Sequence, residues 1–123
     1  MEANKIIITG AATRMGAAIA KKLSGPGKEI VIHYNSSKAN AEKLKKDLIK
    51  NKTKVYLIKG DLSKEKDLNK IIKFSKSKLK YFNCLINNAS LFENDNLINF
   101  TSKSWSHHLD VNLKAPAYLT KEF

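Results

Sequence analysis

The segment from Thr9 to Gly16, TGAATRMG, has the residue types of a loop that binds phosphate. Gly10 directly follows an isoleucine-rich run, where a glycine allows a tight turn and a close approach of the backbone to a ligand. Gly16 falls in the first turn of the next predicted helix, where the absent side chain lets the helix pack near the first strand or a cofactor. The N-terminus of that helix offers unpaired N–H groups and a partial positive charge, so it suits a pyrophosphate.

Arg14 lies inside this glycine turn, in a chain that otherwise uses lysine for its basic residues. A guanidinium can make a forked, charge-assisted contact with a phosphate oxygen. We therefore expect Arg14 to bind a phosphate; the alternative is a solvent-facing residue of the first helical turn.

The end of the second predicted strand, HYNSSK, indicates which dinucleotide binds. NAD-binding folds usually have Asp or Glu here, which accepts hydrogen bonds from the ribose 2′-hydroxyl. This chain has no acidic residue before Glu42. A 2′-phosphate is matched instead by the donors and the cation of Asn35, Ser36, Ser37 and Lys38. We predict NADPH rather than NADH, with His33 either reaching the adenine or the phosphate or serving only the structure.

Four β-rich runs alternate with segments whose apolar residues have helical spacing. These strands and helices must position the predicted phosphate-binding residues. The runs are Lys5–Thr9, Glu29–Tyr34, Lys54–Lys59 and Asn83–Asn88, and the first two contain consecutive apolar residues. Such runs are typical of parallel strands covered on both faces. The alternation predicts one α/β domain over residues 1–123, a doubly wound parallel sheet of the Rossmann type with about four strands.

Helices are predicted after each strand, and serines are placed to cap two of them. Ser37 is expected to cap a helix from Lys38 to about Asn51, and Ser63 to cap one from about Lys64 to Leu79. The fourth helix starts at Thr101 or Ser102 and contains apolar residues at helical spacing, Trp105, Leu109, Leu113 and Leu119.

The charge and the cysteine content narrow the function classes. The net charge of +12 comes from lysines spread over predicted helix faces without interleaved aromatic residues, which favours a solvated surface over nucleic-acid binding. One cysteine, Cys84 in an apolar run, excludes an internal disulfide and is expected to be buried and inert. With no leader and no apolar run long enough to span a membrane, we expect a cytoplasmic protein. Adjacent His107 and His108 diverge on a helix, so no metal site is predicted.

With these residues placed, the chain resembles the short-chain dehydrogenases/reductases over essentially its whole length. The family's glycine turn is similar to Thr9–Gly16, its acidic residue after the third strand to Asp61 in GDLS, its Asn-Asn-Ala-Gly motif to NNAS (87–90), and its helix-four asparagine to Asn112. The residues then expected to contact the cofactor are Gly10, Thr13, Arg14, Met15, Gly16, His33, Tyr34, Asn35, Ser36, Ser37, Asp61, Leu62, Asn88, Ala89 and Ser90.

Two departures from the family pattern, Arg14 in the glycine turn and Ser90 closing NNAS, resemble the branch of pteridine and dihydromonapterin reductases. In that branch an aromatic residue two positions after the serine stacks on the pterin, which implies this role for Phe92; the alternative is a loop aromatic that plugs the core. The implied reaction is hydride transfer from NADPH to a C=N bond of a pterin or dihydrofolate. Ser90 would touch both cofactor and pterin, and Asn112 would hold a water of the proton relay.

Other functions remain open at this point. A short-chain reductase acting on 3-oxoacyl or sugar carbonyls is one alternative, and a non-catalytic nucleotide- or nucleic-acid-binding module is another. The family's catalytic Tyr-x-x-x-Lys is absent from these 123 residues. We therefore expect the N-terminal part of a longer reductase, inactive alone, with further strands beyond the fourth and a homotetramer as the full-length form.

Overall fold

The computed structural model describes residues 2–123 and contains one parallel sheet flanked by helices. The elements, in chain order, are β1 (Lys5–Ile8), α1 (Arg14–Leu23), β2 (Glu29–Tyr34), α2 (Lys38–Lys50), β3 (Lys54–Lys59), α3 (Glu65–Leu79), β4 (Cys84–Ile86), α4 (Ser102–Leu109), a π-helical segment (Asp110–Lys114) and α5 (Ala115–Glu122). The predicted α/β class is confirmed.

The strands run in the order β3-β2-β1-β4, with all three pairings parallel. Successive strands move from β1 to β2 and β3 on one side, and β4 then returns to pair with the other edge of β1. The order therefore reverses between β1 and β4. In open α/β sheets, ligands bind outside the carboxyl ends of the strands at such a reversal.

The consecutive isoleucines of β1 serve both faces of the sheet. Ile6 and Ile8 are fully buried in a cluster that includes Ala20 of α1 and Leu48 of α2. Ile7, equally buried, packs on the opposite side in a cluster with Leu79 of α3. Because both faces are covered, β-branched residues occupy the three consecutive positions from Ile6 to Ile8.

The elements differ from the predicted ones at several ends. β1 ends at Ile8 rather than Thr9, and β4 is limited to Cys84–Ile86. The expected Ser63 cap is wrong: the N-cap of α3 is Lys64, because the Ser63 hydroxyl donates instead to Asp61 Oδ1 at 2.7 Å. Ser37 holds the N-cap position of α2, but its side chain makes no capping hydrogen bond.

The fourth predicted helix is interrupted. Thr101 begins α4 with a capping box in which its side chain accepts from the Ser104 backbone and the Ser104 side chain accepts from the Thr101 backbone. The π-helical segment then follows α4 directly and carries Asn112, and Ala115 donates to the carbonyl of Asp110, five residues earlier. A π-helical turn changes which residues face inward, and such turns often occur at functional sites.

Candidate functional site

A cleft of about 730 Å³ opens where the strands β1, β2 and β4 end. The structure brings to its wall every residue that the sequence predicted to contact the cofactor. These are Gly10, Thr13, Arg14, Met15, Gly16, His33, Tyr34, Asn35, Ser36, Ser37, Asp61, Leu62, Asn88, Ala89 and Ser90. Four lining residues were not predicted: Ala12, Leu91, His107 and Val111. Asn112 and Phe92 are not part of the wall.

The glycine turn is packed so closely that side chains would not fit. Gly10 has φ +61°, and a Cβ built there would lie 2.8 Å from the Ala89 Cα atom. A Cβ on Gly16 would lie 2.5 Å from the Gly10 carbonyl oxygen and 2.6 Å from Asn88 Nδ2. Both glycines therefore let three backbone segments meet at one end of the cleft.

Arg14 is the first residue of α1 and adopts φ +50°, a left-handed conformation that non-glycine residues rarely have. Such conformations are found preferentially at ligand-binding sites. The preceding N-cap, Thr13, makes no capping hydrogen bond through its side chain. The N-terminus of α1 and the exposed Arg14 side chain thus face the cleft, and the binding of an anion there stays a prediction.

His33 is buried and bonded through both ring nitrogens. The Gly10 N–H donates to Nδ1 at 3.1 Å, and Nε2 lies 2.8 Å from the Gly60 carbonyl oxygen. Since a carbonyl only accepts, Nε2 carries the proton and the ring is neutral. Burial lowers the pKa of His33 below its ordinary value of 6.5. The sequence left open whether His33 contacts the cofactor or serves only the structure. This geometry supports the structural role, and contact of His33 with a cofactor stays a prediction.

Asn88 and Thr9 fix the glycine turn to the end of β4. Asn88 Nδ2 donates to the carbonyl oxygens of Thr9 at 3.1 Å and Gly10 at 3.0 Å. The buried Thr9 hydroxyl accepts from the backbone N–H groups of Asn88 and Ala89, both at 3.1 Å. The Asn88 side chain therefore has a supporting role, and Thr9 is a second support that the prediction did not include. Its place directly before Gly10 was the available signal.

Asp61 is held ionised on the cleft wall. Its Oδ1 accepts from the Ser63 hydroxyl at 2.7 Å and from the Ser63 N–H at 2.9 Å, and these hydrogen bonds lower the pKa of Asp61. Lys64 Nζ lies 3.9 Å from the other oxygen, Oδ2. A carboxylate fixed in this way can accept a hydrogen bond from an amino group of a ligand.

The predicted 2′-phosphate segment lies at the opening of the cleft. Asn35 and Ser36 are exposed and Ser37 is half-buried, so their polar groups remain available to a ligand. Lys38 lies 4.0 Å from Glu42, which offsets part of its positive charge. Tyr34, in contrast, is buried against Ala12, so its side chain contributes mainly to the shape of the cleft wall.

The loop of residues 87–101 connects β4 to α4 and carries the residues predicted to bind substrate. Ser90 lies at its start, on the cleft wall. Phe92 is 85% exposed, so the alternative of a core-plugging aromatic is wrong. Asn112 pairs with the Leu91 backbone: its Nδ2 donates to the Leu91 carbonyl, and its Oδ1 accepts from the Leu91 N–H, both at 2.8 Å.

The two histidines both contact Glu93 of this loop. His107 Nδ1 lies 2.9 Å from Glu93 Oε1, and His108 Nε2 accepts from the Glu93 N–H at 2.9 Å. Within residues 2–123, no three His, Cys, Asp or Glu side chains form a cluster able to hold a metal ion. In the same part of the chain, no helix is long and apolar enough to cross a membrane.

Known proteins share this fold. The family model for short chain dehydrogenases matches residues 4–123. The short-chain dehydrogenase/reductase FrzI of Cladobotryum sp is 28% identical over 115 residues, covering 94% of this chain and 45% of that protein. The chain spans about half the length of the curated relatives that it matches.

Two solved structures superpose closely. FolM alternative dihydrofolate reductase 1 from Brucella canis, complexed with NADP, has a TM-score of 0.86 and 28% identity, with 95% of this chain and 47% of that chain covered. A blue fluorescent protein from a metagenomic library, in complex with NADPH, has a TM-score of 0.90 and 25% identity, with 99% and 51% covered. The chain belongs to the short-chain dehydrogenase family.

Proposed function

We propose that this chain is the cofactor-binding part of an NADPH-dependent short-chain reductase. The observation that carries the proposal is the cleft at the strand reversal, where the glycine turn, the HYNSS segment, Asp61 and NNAS meet. Similar structures complexed with NADP or NADPH support the same cofactor. Because the chain spans about half the length of its relatives, hydride transfer is proposed for a protein that contains this chain together with a matching second half.

The residues present fit the cofactor. The missing Cβ atoms of Gly10 and Gly16 let the turn pack against Ala89 and Asn88 at the base of the cleft, so that the N-terminus of α1 faces the space that a diphosphate would occupy. Arg14 and the N-terminus of α1 would bind the diphosphate, and Asp61 would accept from the adenine amino group. When bound, NADPH supplies the hydride.

The 2′-phosphate would lie against Asn35, Ser36 and Ser37. No carboxylate in this segment repels it, whereas an acidic residue would favour the 2′-hydroxyl of NADH. Electrostatic repulsion in a partly closed cleft acts over short distances and is screened only in part by salt. The preference for NADPH should therefore depend on the charge of this short segment.

Ser36→Asp tests the cofactor proposal. We expect NADPH affinity to fall at least about tenfold, which corresponds to about 1.4 kcal/mol, while NADH affinity holds or rises. Titration of both nucleotides by calorimetry gives the two Kd values. Asn40→Asp is the matched control, because Asn40 is exposed on α2, outside the cleft, and its change adds the same charge. Equal losses for NADPH in both variants would contradict the assignment.

For the substrate we propose a pterin or a dihydrofolate. The support is Arg14 in the glycine turn, Ser90 at the end of NNAS, the exposed ring of Phe92 and the similarity to the alternative dihydrofolate reductase named above. Ser90 would contact both cofactor and pterin. Asn112 would act through Leu91, which it binds, and through a water of the proton relay.

Phe92→Ala tests the substrate proposal. Stacking of an aromatic side chain on a heterocyclic base contributes about 1–3 kcal/mol. In a protein that contains this chain together with the matching second half, kcat/KM for a dihydropterin should therefore fall about five- to 150-fold. The Kd of NADPH should not change. Leu97→Ala, at an exposed apolar residue of the same loop, is the control. Unchanged dihydropterin turnover in Phe92→Ala would favour a 3-oxoacyl or sugar carbonyl substrate.

A further inference from the structure

Two adjacent histidines of α4 hold the same residue of the loop 87–101. His107 contacts the Glu93 carboxylate and His108 accepts from the Glu93 backbone, each at 2.9 Å. A carboxylate only accepts, so the proton lies on His107 Nδ1, and a neutral His107 ring keeps Nε2 as an acceptor. His108 Nε2 accepts from the Glu93 N–H group, so this nitrogen carries no proton.

Only one of the two histidines also belongs to the cleft. His107 lines it together with Val111, which follows one turn later, whereas His108 is not part of the wall. Asp61, the carboxylate expected to accept from the adenine amino group, lies on the same wall. His107 is therefore near the end of the cleft where we place the adenine, and it touches the loop at the same time.

The loop is tethered on both sides of Phe92. Leu91 is bound twice by Asn112, and Glu93 is bound by the two histidines. The Phe92 ring itself is 85% exposed, so the rest of the protein covers little of it. Its position is thus set by its two neighbours, and loss of either tether would leave the ring free to move.

We propose that His107 is a positioning residue that couples occupancy of the cleft to the order of the loop 87–101, and so to the placement of Phe92. The inference rests on the proposed function, because it requires a dinucleotide in the cleft. A ligand that contacts the imidazole restricts its rotation, and a ring of fixed orientation holds Glu93 more firmly. By linkage, an ordered loop strengthens nucleotide binding by the same factor.

Hydrogen exchange of the full chain with and without saturating NADPH tests this coupling. The amides to follow are those of Glu93 and Asp95, which donate to His108 Nε2 and to the Glu93 carbonyl. In the wild type we expect NADPH to slow their exchange about fivefold or more. In His107→Ala this slowing should disappear, and His107→Asn, which places an amide group near the position of Nδ1, should restore part of it.

The matched control is His108→Ala. Because His108 holds the loop but does not line the cleft, its loss should speed exchange in both the free and the bound protein and leave the NADPH-dependent slowing in place. Glu93→Ala is the second variant, should His107→Ala not fold. It leaves the cleft wall intact and should still abolish the ligand dependence at Asp95.

The outcomes separate the two levels of the proposal. If His107→Ala or Glu93→Ala binds NADPH and keeps the full slowing, the coupling is overturned, since the effect would then come from Ser90 or Leu91 directly. NADPH binding to the wild type without any slowing overturns the coupling alone. Absence of NADPH binding to the wild type overturns both the coupling and the proposed function.

Discussion

At the scale of single residues, close packing around the glycine turn decides whether the cleft can form. Gly16 meets the Gly10 carbonyl, and Asn88 donates to that same oxygen. The sequence allowed both glycines to be predicted, because a turn between a strand and a helix needs them. The partners of His33 could not be predicted, since a histidine at a strand end can face either the ligand or the neighbouring loop.

Gly16→Ala should damage both folding and binding. The new Cβ would lie 2.5 Å from a backbone oxygen that cannot move without the whole turn, so we expect a loss of about 1–3 kcal/mol in the free energy of unfolding and weaker NADPH binding. Urea denaturation and NADPH titration measure the two effects. In the control Gly60→Ala, the nearest atom is the flexible end of Ile71 at 3.1 Å, so the loss should be smaller. Equal effects would show that the contact at Gly16 is not limiting.

His33 should make stability depend on pH. Its pKa is lowered by burial in the folded chain, so the unfolded chain binds a proton first, at about pH 6.5. The contribution of a neutral His33 is therefore fully present above pH 6.5 and is lost as the pH falls from there towards the lowered folded pKa. The slope for one proton is at most about 1.4 kcal/mol per pH unit.

Urea unfolding of the wild type and of His33→Gln between pH 7.5 and pH 5 measures this slope. We expect the variant to be less stable at pH 7.5 and to lose less stability on acidification. Comparing the two chains cancels the titration of the other histidines. Parallel pH profiles would mean that His33 does not resist protonation.

At the scale of elements, the strands were the most predictable part. Consecutive β-branched residues such as Ile6, Ile7 and Ile8 have no other low-energy place than a strand covered on both faces. The π-helical segment could not be predicted, because its extra residue breaks the helical spacing that the sequence suggests. Trp105, Leu109 and Leu113, which lie at helical spacing in the sequence, are exposed, and Val111 and Ala115 are buried instead.

Helix α3 contains one buried hydroxyl that lowers the stability of the fold. Ser75 is fully buried, and its hydroxyl has no hydrogen-bond partner among residues 2–123. Ser75→Ala should therefore raise the free energy of unfolding by about 1 kcal/mol, since it removes an unsatisfied polar group. Ser77→Ala on the same helix is the control, because the exposed Ser77 hydroxyl donates to the Phe74 carbonyl and the gain in helix propensity is the same. Destabilisation by Ser75→Ala, measured in urea, would indicate that the hydroxyl has a partner.

At the scale of the whole molecule, the strand order creates the site. The reversal between β1 and β4 separates the ends of two strands, and the cleft lies between them. The alternation of strands and helices predicted a doubly wound sheet, and the structure supplied the strand order. The tetramer, the cytoplasmic location and the weak affinity for nucleic acid remain predictions, as does the set of cofactor contacts. The exposed apolar side chains of Trp105, Leu109 and Leu113 lie on α4 and the π-helical segment.

The lysines and the single arginine lie in different parts of the molecule. Its excess of lysine is distributed over the helices, while the single arginine is part of the cleft. A planar guanidinium at the N-terminus of α1 recognises phosphate by geometry as well as by charge. We therefore expect the affinity for NADP to depend on the cleft and not on the net charge of +12.

A crystal structure of the full chain with NADP bound would show where the diphosphate and the 2′-phosphate bind. We expect the diphosphate at the N-terminus of α1, within hydrogen-bonding distance of the Arg14 guanidinium, and the 2′-phosphate on the segment from Asn35 to Ser37. A dinucleotide bound elsewhere, or a 2′-phosphate pointing away from this segment into solvent, would contradict this expectation.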